Sequence, residues 1–381
     1  MFLVICVFPV RYLYLVSCNL YLHMRALITA GGRGTRLRPL TFTINKHLVP
    51  IANKPMLFYA LEKITAAGIS DIGIIINDGD TELPAAIGDG SRWGARITYI
   101  PQKGGALGLA HAVGSAREFI GDEPFLFYLG DNVVLADLGS LVERFMRDNL
   151  SAMLSFARVP DPHRFGVPQF EGEKLVRILE KPQNPPSDYA VTGIYIYNKD
   201  IFDAVNGISP SARGELEISD AHTWLLENQK PVGWQEITGW WKDTGKPEDL
   251  LECNRLLLEL DKSNYRGEGA FVAPKAQLTG SVSLGVASRV GENVVLNGPV
   301  AIGDNVIIEN AVIGPHVSLG NNVSVDGATI SNTIVLDGVT IHTKAEIVDS
   351  LIGSNARIVA AQASQHGRHR LLIGDNSLVE L

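Results

Sequence analysis

The sequence predicts two folded parts, a doubly wound α/β domain followed by a parallel β-helix. The chain has 381 residues, a length that suits two domains. From Met24 to about residue 246, short apolar runs alternate with helix-like stretches, as in a parallel sheet with crossover helices. Beyond residue 270, aliphatic residues recur at every sixth position, which is typical of β-helix coils.

The first part is predicted to alternate strands with helices. Strands are expected at 25–29, 71–76, 97–100 and 125–129, and helices at 55–67, 109–119 and 138–147. A leucine-rich helix at 248–261 is the expected bridge to the second part. Ligands of doubly wound sheets bind at the carboxyl ends of the strands, so the loops after these strands are the expected site.

The second part shows an aliphatic repeat. Its first run is Val272, Leu278, Leu284, Val290, Leu296, Ile302 and Ile308. After a skipped residue it resumes at Ile313, Leu319 and Val325, and later members are Leu336, Ile341, Ile347, Ile352 and Ile358. These side chains are expected to stack inside about five coils of roughly 18 residues each. Such coils leave flat faces, and a homo-oligomer is therefore expected.

Charge is concentrated in one loop. The net charge of −8 argues against a nucleic-acid surface, which would need a basic face to neutralise phosphates. Residues 31–50 nevertheless contain Arg33, Arg36, Arg38 and Lys46 and no carboxylate. This segment follows the first predicted strand, and its glycines allow a backbone to approach a phosphate chain closely. It lacks the Gly-Lys-Ser/Thr ending of a P-loop.

The N-terminal residues 1–23 are almost wholly apolar, with Arg11 in the middle. A signal peptide carries its positive charges before the apolar run, and a membrane span would hold Arg11 near the bilayer centre. We expect an extension that is not part of the fold and a cytoplasmic protein without a membrane partner. The cysteines Cys6, Cys18 and Cys253 show no disulfide framework and no zinc spacing. The expected boundaries are 24–250 for the first domain, 251–266 for a helical linker, 267–360 for the β-helix and 361–381 for a C-terminal tail.

A series of motifs runs in order along residues 24–250. They are GGRGTRLRPLT (31–41), NKHLVP (45–50), NKPM (53–56), GDGSRWG (88–94), GDN (130–132), FGV (165–167), EKP (180–182), VTGIY (191–195), RGELE (213–217) and WKDTG (241–245). Together they resemble the signature of the sugar nucleotidylyltransferase family. With the repeat behind them, the chain resembles the long thymidylyl branch of that family. The resemblance implies a Rossmann-like nucleotidylyltransferase domain followed by a left-handed β-helix.

The resemblance also implies a reaction and its residues. The phosphate oxygen of glucose 1-phosphate would attack the α-phosphorus of dTTP, giving dTDP-glucose and pyrophosphate without a covalent enzyme intermediate. The implied catalytic residues are Arg36, Lys46 and Lys181; the nucleotide-binding residues are Gly31, Gly32, Gly34, Thr35, Gln102 and Gly108; and the sugar-phosphate residues are Asn132, Gly166, Glu180, Val191, Tyr195 and Arg213. The amide of Gln102 suits the O4 and N3–H edge of a pyrimidine dione.

The resemblance assigns a divalent metal, Mg2+ or alternatively Mn2+, to Asp131 and Asp243. Asp131 follows an apolar strand, and Mg2+ needs only one or two carboxylates besides phosphate oxygens and waters. Two other functions stay open. One is a uridylyltransferase that uses UTP. The other is a bifunctional enzyme whose β-helix also transfers an acetyl group, with His316 or His342, the latter close to Lys344, as the base.

Overall fold

The structure is a computed structural model that describes residues 24–105, 107–361 and 367–381. The predicted N-terminal extension, 1–23, lies outside the described residues. The chain divides into two compact units. Among the described residues, the first unit comprises 24–32 and 59–241, and the second comprises 33–58 and 242–381. The basic loop therefore belongs to the same unit as the β-helix, although it lies far from it in sequence.

The elements of the first two thirds of the chain follow in order. The strands are β1 (Arg25–Thr29), β2 (Pro50–Ile51), β3 (Lys54–Pro55), β4 (Asp71–Asn77), β5 (Arg96–Gln102), β6 (Phe125–Leu129), β7 (Asn132–Val134), β8 (Ala152–Arg158), β9 (Gly166–Glu171), β10 (Lys174–Glu180), β11 (Tyr189–Tyr197), β12 (Val232–Glu236) and β13 (Trp241–Asp243). The α-helices are α1 (Met56–Ala66), α2 (Glu82–Ile87), α3 (Leu109–Ser115), α4 (Arg117–Ile120), α5 (Gly139–Arg147), α6 (Asp200–Gly207), α7 (Ile218–Glu227) and α8 (Pro247–Leu260).

The first unit is built on a seven-stranded sheet with the order β12-β8-β11-β6-β1-β4-β5. The predicted α/β class is confirmed, but the sheet is mixed: β1 pairs in parallel with β4 and β6, whereas β11 is antiparallel to β6 and β8. Ala26, Leu27 and Ile28 of the interior strand β1 are fully buried, as expected where both faces of a sheet are covered. The carboxyl ends of β1, β4, β5 and β6 lead to Gly31, Asn77, Gln102 and Asp131.

One predicted helix is interrupted. The stretch predicted as a single helix at 109–119 forms α3 and α4, with Ala116 between them at φ −95° and ψ 6°. Aromatic side chains fill the core on this side of the sheet, where Phe125 stacks with Phe202 at 6.0 Å and contacts Tyr197 at 5.6 Å between ring centroids. This dry core supports the strands whose ends carry the candidate site. Among the described residues, no helix is long and apolar enough to cross a bilayer.

The second unit contains three parallel sheets of seven, six and six short strands. Their strands are β14 (Phe271–Val272), β15 (Gln277–Thr279), β16 (Val282–Leu284), β17 (Arg289–Val290), β18 (Val295–Asn297), β19 (Val300–Ile302), β20 (Ile307–Glu309), β21 (Val312–Ile313), β22 (Val317–Leu319), β23 (Ser324–Asp326), β24 (Thr329–Ser331), β25 (Thr333–Val335), β26 (Thr340–His342), β27 (Glu346–Val348), β28 (Leu351–Ile352), β29 (Arg357–Val359), β30 (Arg368–His369), β31 (Leu372–Ile373) and β32 (Leu378–Glu380). Strands three apart in sequence pair in parallel, which is the architecture of the predicted left-handed β-helix.

The predicted stacking is confirmed along the sheet that begins with β14, where Val290, Ile308, Val325 and Ile341 occupy paired positions. Two details differ. Val335, not the predicted Leu336, pairs with Leu319, because the coil spacing shortens after Val325. The β-helix also continues past residue 360, since β30, β31 and β32 pair with the coil before them in the segment predicted as a tail. Three short strands per coil and an apolar interior explain why an aliphatic residue recurs at about every sixth position.

A ladder of Asp and Asn side chains runs along one corner of the β-helix. Each carboxylate or amide oxygen accepts a hydrogen bond from a backbone N–H of the preceding coil. The contacts are Val286 N to Asp304 Oδ1 at 2.6 Å, Asp304 N to Asn321 Oδ1 at 2.9 Å, Asn321 N to Asp337 Oδ1 at 2.8 Å and Ser354 N to Asp375 Oδ1 at 2.7 Å. The ladder satisfies backbone donors at turns, where no strand partner is available.

Candidate active site

The nucleotide-base side of the predicted site lies in the first unit, where β4 and β5 end side by side. Asn77 and Gln102 are paired in register. A Cβ at Gly31 would lie 3.3 Å from Asn77 Oδ1 and 3.5 Å from Gln102 Oε1, so glycine leaves open space in front of both amides. Gln102 is only 8% exposed, and its Nε2 lies 3.0 Å from Nδ1 of His111. The amide is therefore held in one orientation, as a hydrogen-bonding surface for a base requires.

Gly108 has a backbone role that the sequence did not reveal. Its φ is 105°, and a Cβ there would lie 2.3 Å from the carbonyl oxygen of Leu216. The neighbouring backbone is tied to the same residue: Leu216 N donates to Leu107 O at 2.8 Å, and Ala110 N donates to Leu216 O at 3.1 Å. Both the conformation and the close approach require glycine. A contact with the nucleotide stays a prediction.

The basic loop of the second unit is shaped by short turns. The segments Thr35–Leu37, Leu40–Phe42 and Lys46–Leu48 each form one 3-10 turn. Gly34 has φ 58°, and a Cβ there would lie 2.8 Å from Cβ of Lys46. Thr41 Oγ1 donates to the Gly34 carbonyl at 2.7 Å and closes the loop. Leu37 is buried and anchors the loop, whereas Thr35 and Arg36 are exposed.

Asp243 lies near the same loop. A Cβ at Gly245 would lie 3.3 Å from Nη1 of Arg36 and 3.3 Å from Oδ2 of Asp243, so the guanidinium and the carboxylate both face this glycine. Thr244 is fully buried, and its Oγ1 lies 2.9 Å from Sδ of Met56. The second unit therefore brings Arg36 and Asp243 together. Thr244, the residue after Asp243, contacts Met56 at the start of helix α1.

Asp131 begins the turn after β6 in the first unit. Nδ2 of Asn132 donates to Asp131 Oδ1 at 3.0 Å. Oδ1 of Asn132 in turn accepts from Nε1 of Trp241 at 2.6 Å, and the same indole lies 2.8 Å from the carbonyl oxygen of Thr192. Asn132 is 2% exposed, so its amide is fixed and orients the carboxylate beside it.

The sugar-phosphate side is a charged cluster in the first unit. Oε1 of Glu180 lies 3.2 Å from Nζ of Lys181 and 3.2 Å from Nη2 of Arg213. Oε2 of Glu180 accepts from Ser219 Oγ at 2.7 Å. Glu217, which is 5% exposed, holds the same guanidinium through Oε1 at 2.8 Å. Two cations and two carboxylates therefore meet at one place, which suits a ligand with both phosphate and hydroxyl groups.

The remaining predicted sugar residues lie around this cluster. A Cβ at Gly166 would lie 2.8 Å from Ser219 Oγ and 3.5 Å from Cγ2 of Val191. Tyr195 is buried, and burial together with the charges of Glu180 and Asp131 raises the pKa of its phenol. The phenol is therefore neutral and able to donate a hydrogen bond. Lys181 adopts φ 44°, a left-handed conformation that a lysine rarely adopts and that often marks a functional site.

Sequence similarity agrees with this geometry. The family model described as nucleotidyl transferase matches residues 25–259, and a model described as the GMPPB C-terminal domain matches residues 296–366. The chain belongs to the nucleotidyl transferase family.

Several relatives match this nucleotidyl transferase over almost its whole length. It is 42% identical to a glucose-1-phosphate thymidylyltransferase of Streptomyces griseus, over 94% of this chain and 99% of that protein. It is 41% identical to the low-salt glycan biosynthesis nucleotidyltransferase Agl11 of Haloferax volcanii, over 94% and 100% of the two chains. The predicted resemblance to the long thymidylyl branch is thereby confirmed.

Solved structures resemble the first part of the chain. A Bacillus anthracis protein, described as a glucose-1-phosphate thymidylyltransferase and solved with sucrose, shares 38% identity and a TM-score of 0.58 over 61% of this chain and 94% of that chain. A UDP-glucose pyrophosphorylase solved with UDP-glucose shares 24% identity and a TM-score of 0.55 over 62% of this chain and 98% of that chain, which is a likeness of fold alone.

Five side chains of this nucleotidyl transferase contribute to the site but were not predicted from the sequence. They are Asn77, His111, Glu217, Ser219 and Trp241. One signal could have identified the first, because Asn77 ends β4 at the level where Gln102 ends β5. The others lie in helices, at the N-terminus of α7 or in strand β13. Glu217 is only four residues from its partner Arg213, but the segment between them is not helical, so the spacing alone does not indicate the contact.

The two histidines considered as acetyl-transfer bases already have partners. Nε2 of His316 lies 3.1 Å from Glu259 Oε1, and the residue sits at φ 62° in a corner of the β-helix. His342 is exposed, with Nε2 at 3.2 Å from Ser324 Oγ. Among the described residues, no group of three or more His, Cys, Asp or Glu side chains is arranged to hold a metal ion. The predicted metal site has only two carboxylates.

Proposed function

We propose that this nucleotidyl transferase joins dTTP to glucose 1-phosphate and releases pyrophosphate, forming dTDP-glucose. The observation that carries the proposal is the cluster of Glu180, Lys181 and Arg213 beside the buried phenol of Tyr195. Full-length relatives at 41–42% identity include proteins named glucose-1-phosphate thymidylyltransferase, which supports the choice of both substrates.

On the sugar side, Lys181 and Arg213 bind the phosphate of glucose 1-phosphate and hold its oxygen for in-line attack. Glu180 is placed between these cations, and its carboxylate oxygens can accept hydrogen bonds from sugar hydroxyls. Asn132, Gly166, Val191 and Tyr195 form the rest of this pocket. The protein contributes position and charge rather than a covalent intermediate.

On the nucleotide side, Gln102 contacts the pyrimidine edge, and Gly31 leaves room for the base. Arg36 and Lys46 bind the triphosphate, and the backbone N–H groups around Gly32, Gly34 and Thr35 line its path. The planar guanidinium of Arg36 can donate hydrogen bonds to two phosphate oxygens at once, whereas the ammonium of Lys46 supplies a compact charge. Both cations neutralise the negative charge that develops as pyrophosphate leaves.

Enzymes of this family generally use a divalent metal, and we propose Mg2+, with Mn2+ as a substitute, held by Asp131 and Asp243. The donor set fits, because both carboxylates are only partly buried and Mg2+ completes its shell with phosphate oxygens and water. When bound, the ion would neutralise phosphate charge and stabilise the transition state. Asn132 keeps the Asp131 carboxylate in place for that role.

Substrate choice tests the function directly. Purified protein is offered dTTP, UTP, CTP, ATP or GTP with glucose 1-phosphate and Mg2+, and pyrophosphate release is followed. We expect kcat/KM to be highest with dTTP and at most about 10- to 200-fold lower with UTP, because a methyl group in an apolar pocket contributes only about 1–3 kcal/mol. Purines should fail by more, since their size and hydrogen-bonding edge do not match Gln102. A clear UTP preference would make the enzyme a uridylyltransferase, and a GTP preference would contradict the role of Gln102.

We also propose that the protein is cytoplasmic and self-associates through its β-helix. One column of the β14 sheet carries Phe271, Ile307 and Leu378, which are 54%, 46% and 63% exposed, with Arg289, Ser324, Thr340 and Arg357 at the positions between them. Light scattering on the purified protein tests the assembly, and Ile307→Lys should shift it towards the monomer.

A further inference from the structure

The basic loop lies along the corner of the β-helix that carries the Asp and Asn ladder. Nδ2 of Asn53 donates to the backbone carbonyls of Ala301 at 3.2 Å and Leu319 at 2.8 Å, on two successive coils. The backbone N–H of Ala52 donates to Oδ1 of the buried Asn254 in helix α8 at 2.9 Å. The hairpin that follows the loop is thus fixed to the middle of the β-helix.

The loop itself meets the last coil. Oδ1 of Asp375 ends the ladder by accepting from Ser354 N, and Oδ2 of the same carboxylate accepts from Oγ1 of Thr43 at 2.7 Å. Next to it, a Cβ at Gly374 would lie 3.2 Å from Cβ of Pro39. Asp375, the last residue of the ladder, therefore contacts the loop through its second carboxylate oxygen.

Within the loop, buried Leu37 and Leu40 and the hydrogen bond from Thr41 to Gly34 help to hold its shape. It contains no carboxylate between residues 31 and 50, and its described turns are single 3-10 turns, which are weakly bonded. Arg33, Arg36 and Arg38 place like charges close together in the sequence of this loop. An anchor outside the loop helps to hold Arg36 in position before the triphosphate binds, because preorganised groups bind at lower entropic cost.

We infer that the last coil of the β-helix positions the triphosphate-binding loop, with Thr43 and Asp375 as positioning residues for dTTP. The inference rests on the proposed function in that it assigns the triphosphate to this loop. It gives the β-helix a part in nucleotide binding through a contact with the loop outside the proposed substrate-binding residues. It also predicts that damage far from the substrates, at the C-terminal end of the chain, weakens nucleotide binding.

A double-mutant cycle tests the coupling. Thr43→Val removes the hydroxyl, and Asp375→Ala removes its acceptor. Each single variant should raise the Kd and KM for dTTP about three- to tenfold, the effect of losing one charge-assisted hydrogen bond, and should leave the KM for glucose 1-phosphate unchanged. The double variant should be no worse than Asp375→Ala alone, because both substitutions remove the same contact between the loop and the last coil. Thr43→Ser should restore wild-type values.

The matched controls are Asp304→Ala and Thr279→Val. Asp304 has the same ladder role as Asp375, and Thr279 Oγ1 donates to Asn297 Oδ1 at 3.1 Å within the β-helix. Both should leave dTTP affinity unchanged, and Thr43→Val with Asp304→Ala should be additive. Hydrogen exchange of residues 33–45 supplies a readout that needs no turnover, and exchange should accelerate in Thr43→Val and Asp375→Ala only.

Additive effects of Thr43→Val and Asp375→Ala on dTTP Kd, or equal effects of Asp375→Ala and Asp304→Ala, would overturn the inference. So would unchanged exchange of the loop in Asp375→Ala. If the wild-type protein shows no pyrophosphate release with any nucleotide, the proposed function fails, while the exchange experiment still decides whether the last coil holds the loop.

Discussion

The two proposed anion-binding regions of this nucleotidyl transferase, the sugar-phosphate pocket and the triphosphate loop, are built in opposite ways. In the sugar-phosphate pocket, Arg213 is held by Glu217 at 2.8 Å and Glu180 at 3.2 Å, so its charge is shared with carboxylates of the same unit. In the triphosphate loop, Arg36 makes no ion pair with any carboxylate among the described residues, and the loop is held by turns and by the β-helix. In the first region the guanidinium is paired with carboxylates of its own unit. In the second, the guanidinium of Arg36 keeps more of its charge for the ligand, and the loop depends on its contact with the last coil of the β-helix.

The difference indicates what each region contributes. Replacing a guanidinium that is already paired with carboxylates removes less of the attraction for an anionic ligand. The paired guanidinium is, however, fixed in place before the ligand arrives. An unpaired guanidinium attracts a polyanion more strongly, which suits a triphosphate with its higher charge. Substitutions in the two regions should therefore change different kinetic constants.

The largest effect should come from the proposed metal carboxylates, one in each unit. Asp131→Asn and Asp243→Asn should each lower kcat by about a hundredfold or more, because each removes a charge that stabilises the transition state. Each variant should keep its melting temperature, since Asn has nearly the same shape. Rates in Mg2+ and Mn2+ measured beside melting curves provide the check. Near-normal turnover of either variant would remove that residue from the metal site.

The sequence could predict the repeat better than the site because the repeat is local. Leu284, Ile302 and Leu319 share one sheet simply because the chain returns after each coil. The short coil around Val335 and the insertion after residue 360 broke the six-residue period, and the last coil was missed for that reason. That coil supplies Asp375, so the contact with Thr43 could not be foreseen.

The structure brings together predicted site residues that lie in the family motifs, whereas the side chains that hold them were mostly not predicted. Gly166 and Glu180 lie together as expected from the resemblance. Glu217 lies within the RGELE motif only four residues from Arg213, but the segment is a turn rather than a helix, so the spacing alone did not predict the ion pair. His111 contacts Gln102 because helix α3 follows the strand that ends there. The contacts of Ser219 with Glu180 and of Trp241 with Asn132 join residues far apart in sequence, and such pairings require the folded chain.

Effects of intermediate size are expected when Arg36 and Arg213 are replaced, and each replacement should change the KM of a different substrate. Arg36→Lys should raise the KM for dTTP by roughly ten- to thirtyfold, because an ammonium lacks the planar geometry that lets a guanidinium bind two phosphate oxygens at once. Arg213→Lys should raise the KM for glucose 1-phosphate by about three- to tenfold, since its charge is already shared. Each variant should leave the KM of the other substrate nearly unchanged. Initial rates with either substrate varied give all four constants.

Arg177→Lys serves as the control in the first unit. Its Nη2 lies 3.5 Å from Glu227 Oε1 at the surface, and both constants should stay at wild-type values. If Arg213→Lys changed the dTTP constant as much as the sugar-phosphate constant, the two anion-binding regions would not act separately.

The smallest expected effect is on the pH dependence of the free energy of unfolding. It distinguishes the core of the first unit from that of the β-helix. His222 is fully buried in the first unit, with Nε2 at 2.5 Å from the hydroxyl of Tyr197, and burial lowers the pKa of its imidazole to about 3. The buried polar side chains between residues 271 and 380, in the described β-helix, are hydroxyls that do not titrate in this range: Ser288, Ser318, Thr333, Thr343 and Ser350. A pH-dependent loss of stability from a buried histidine is therefore expected in the first unit and not in the β-helix.

The direction of the change follows from where protons bind. In the unfolded chain, His222 takes a proton near its ordinary pKa of about 6.5, whereas in the folded chain it stays neutral until about pH 3. Its contribution is fully present above pH 6.5 and is lost as the pH falls towards 3, with a slope of at most about 1.4 kcal/mol per pH unit. His222→Gln should keep a hydrogen bond to Tyr197 and show a flatter decline in unfolding free energy between pH 6.5 and 5. Urea titrations at several pH values measure this slope, with His163→Gln as an exposed control in the same unit. Parallel slopes for wild type and His222→Gln would mean that another group causes the acid sensitivity.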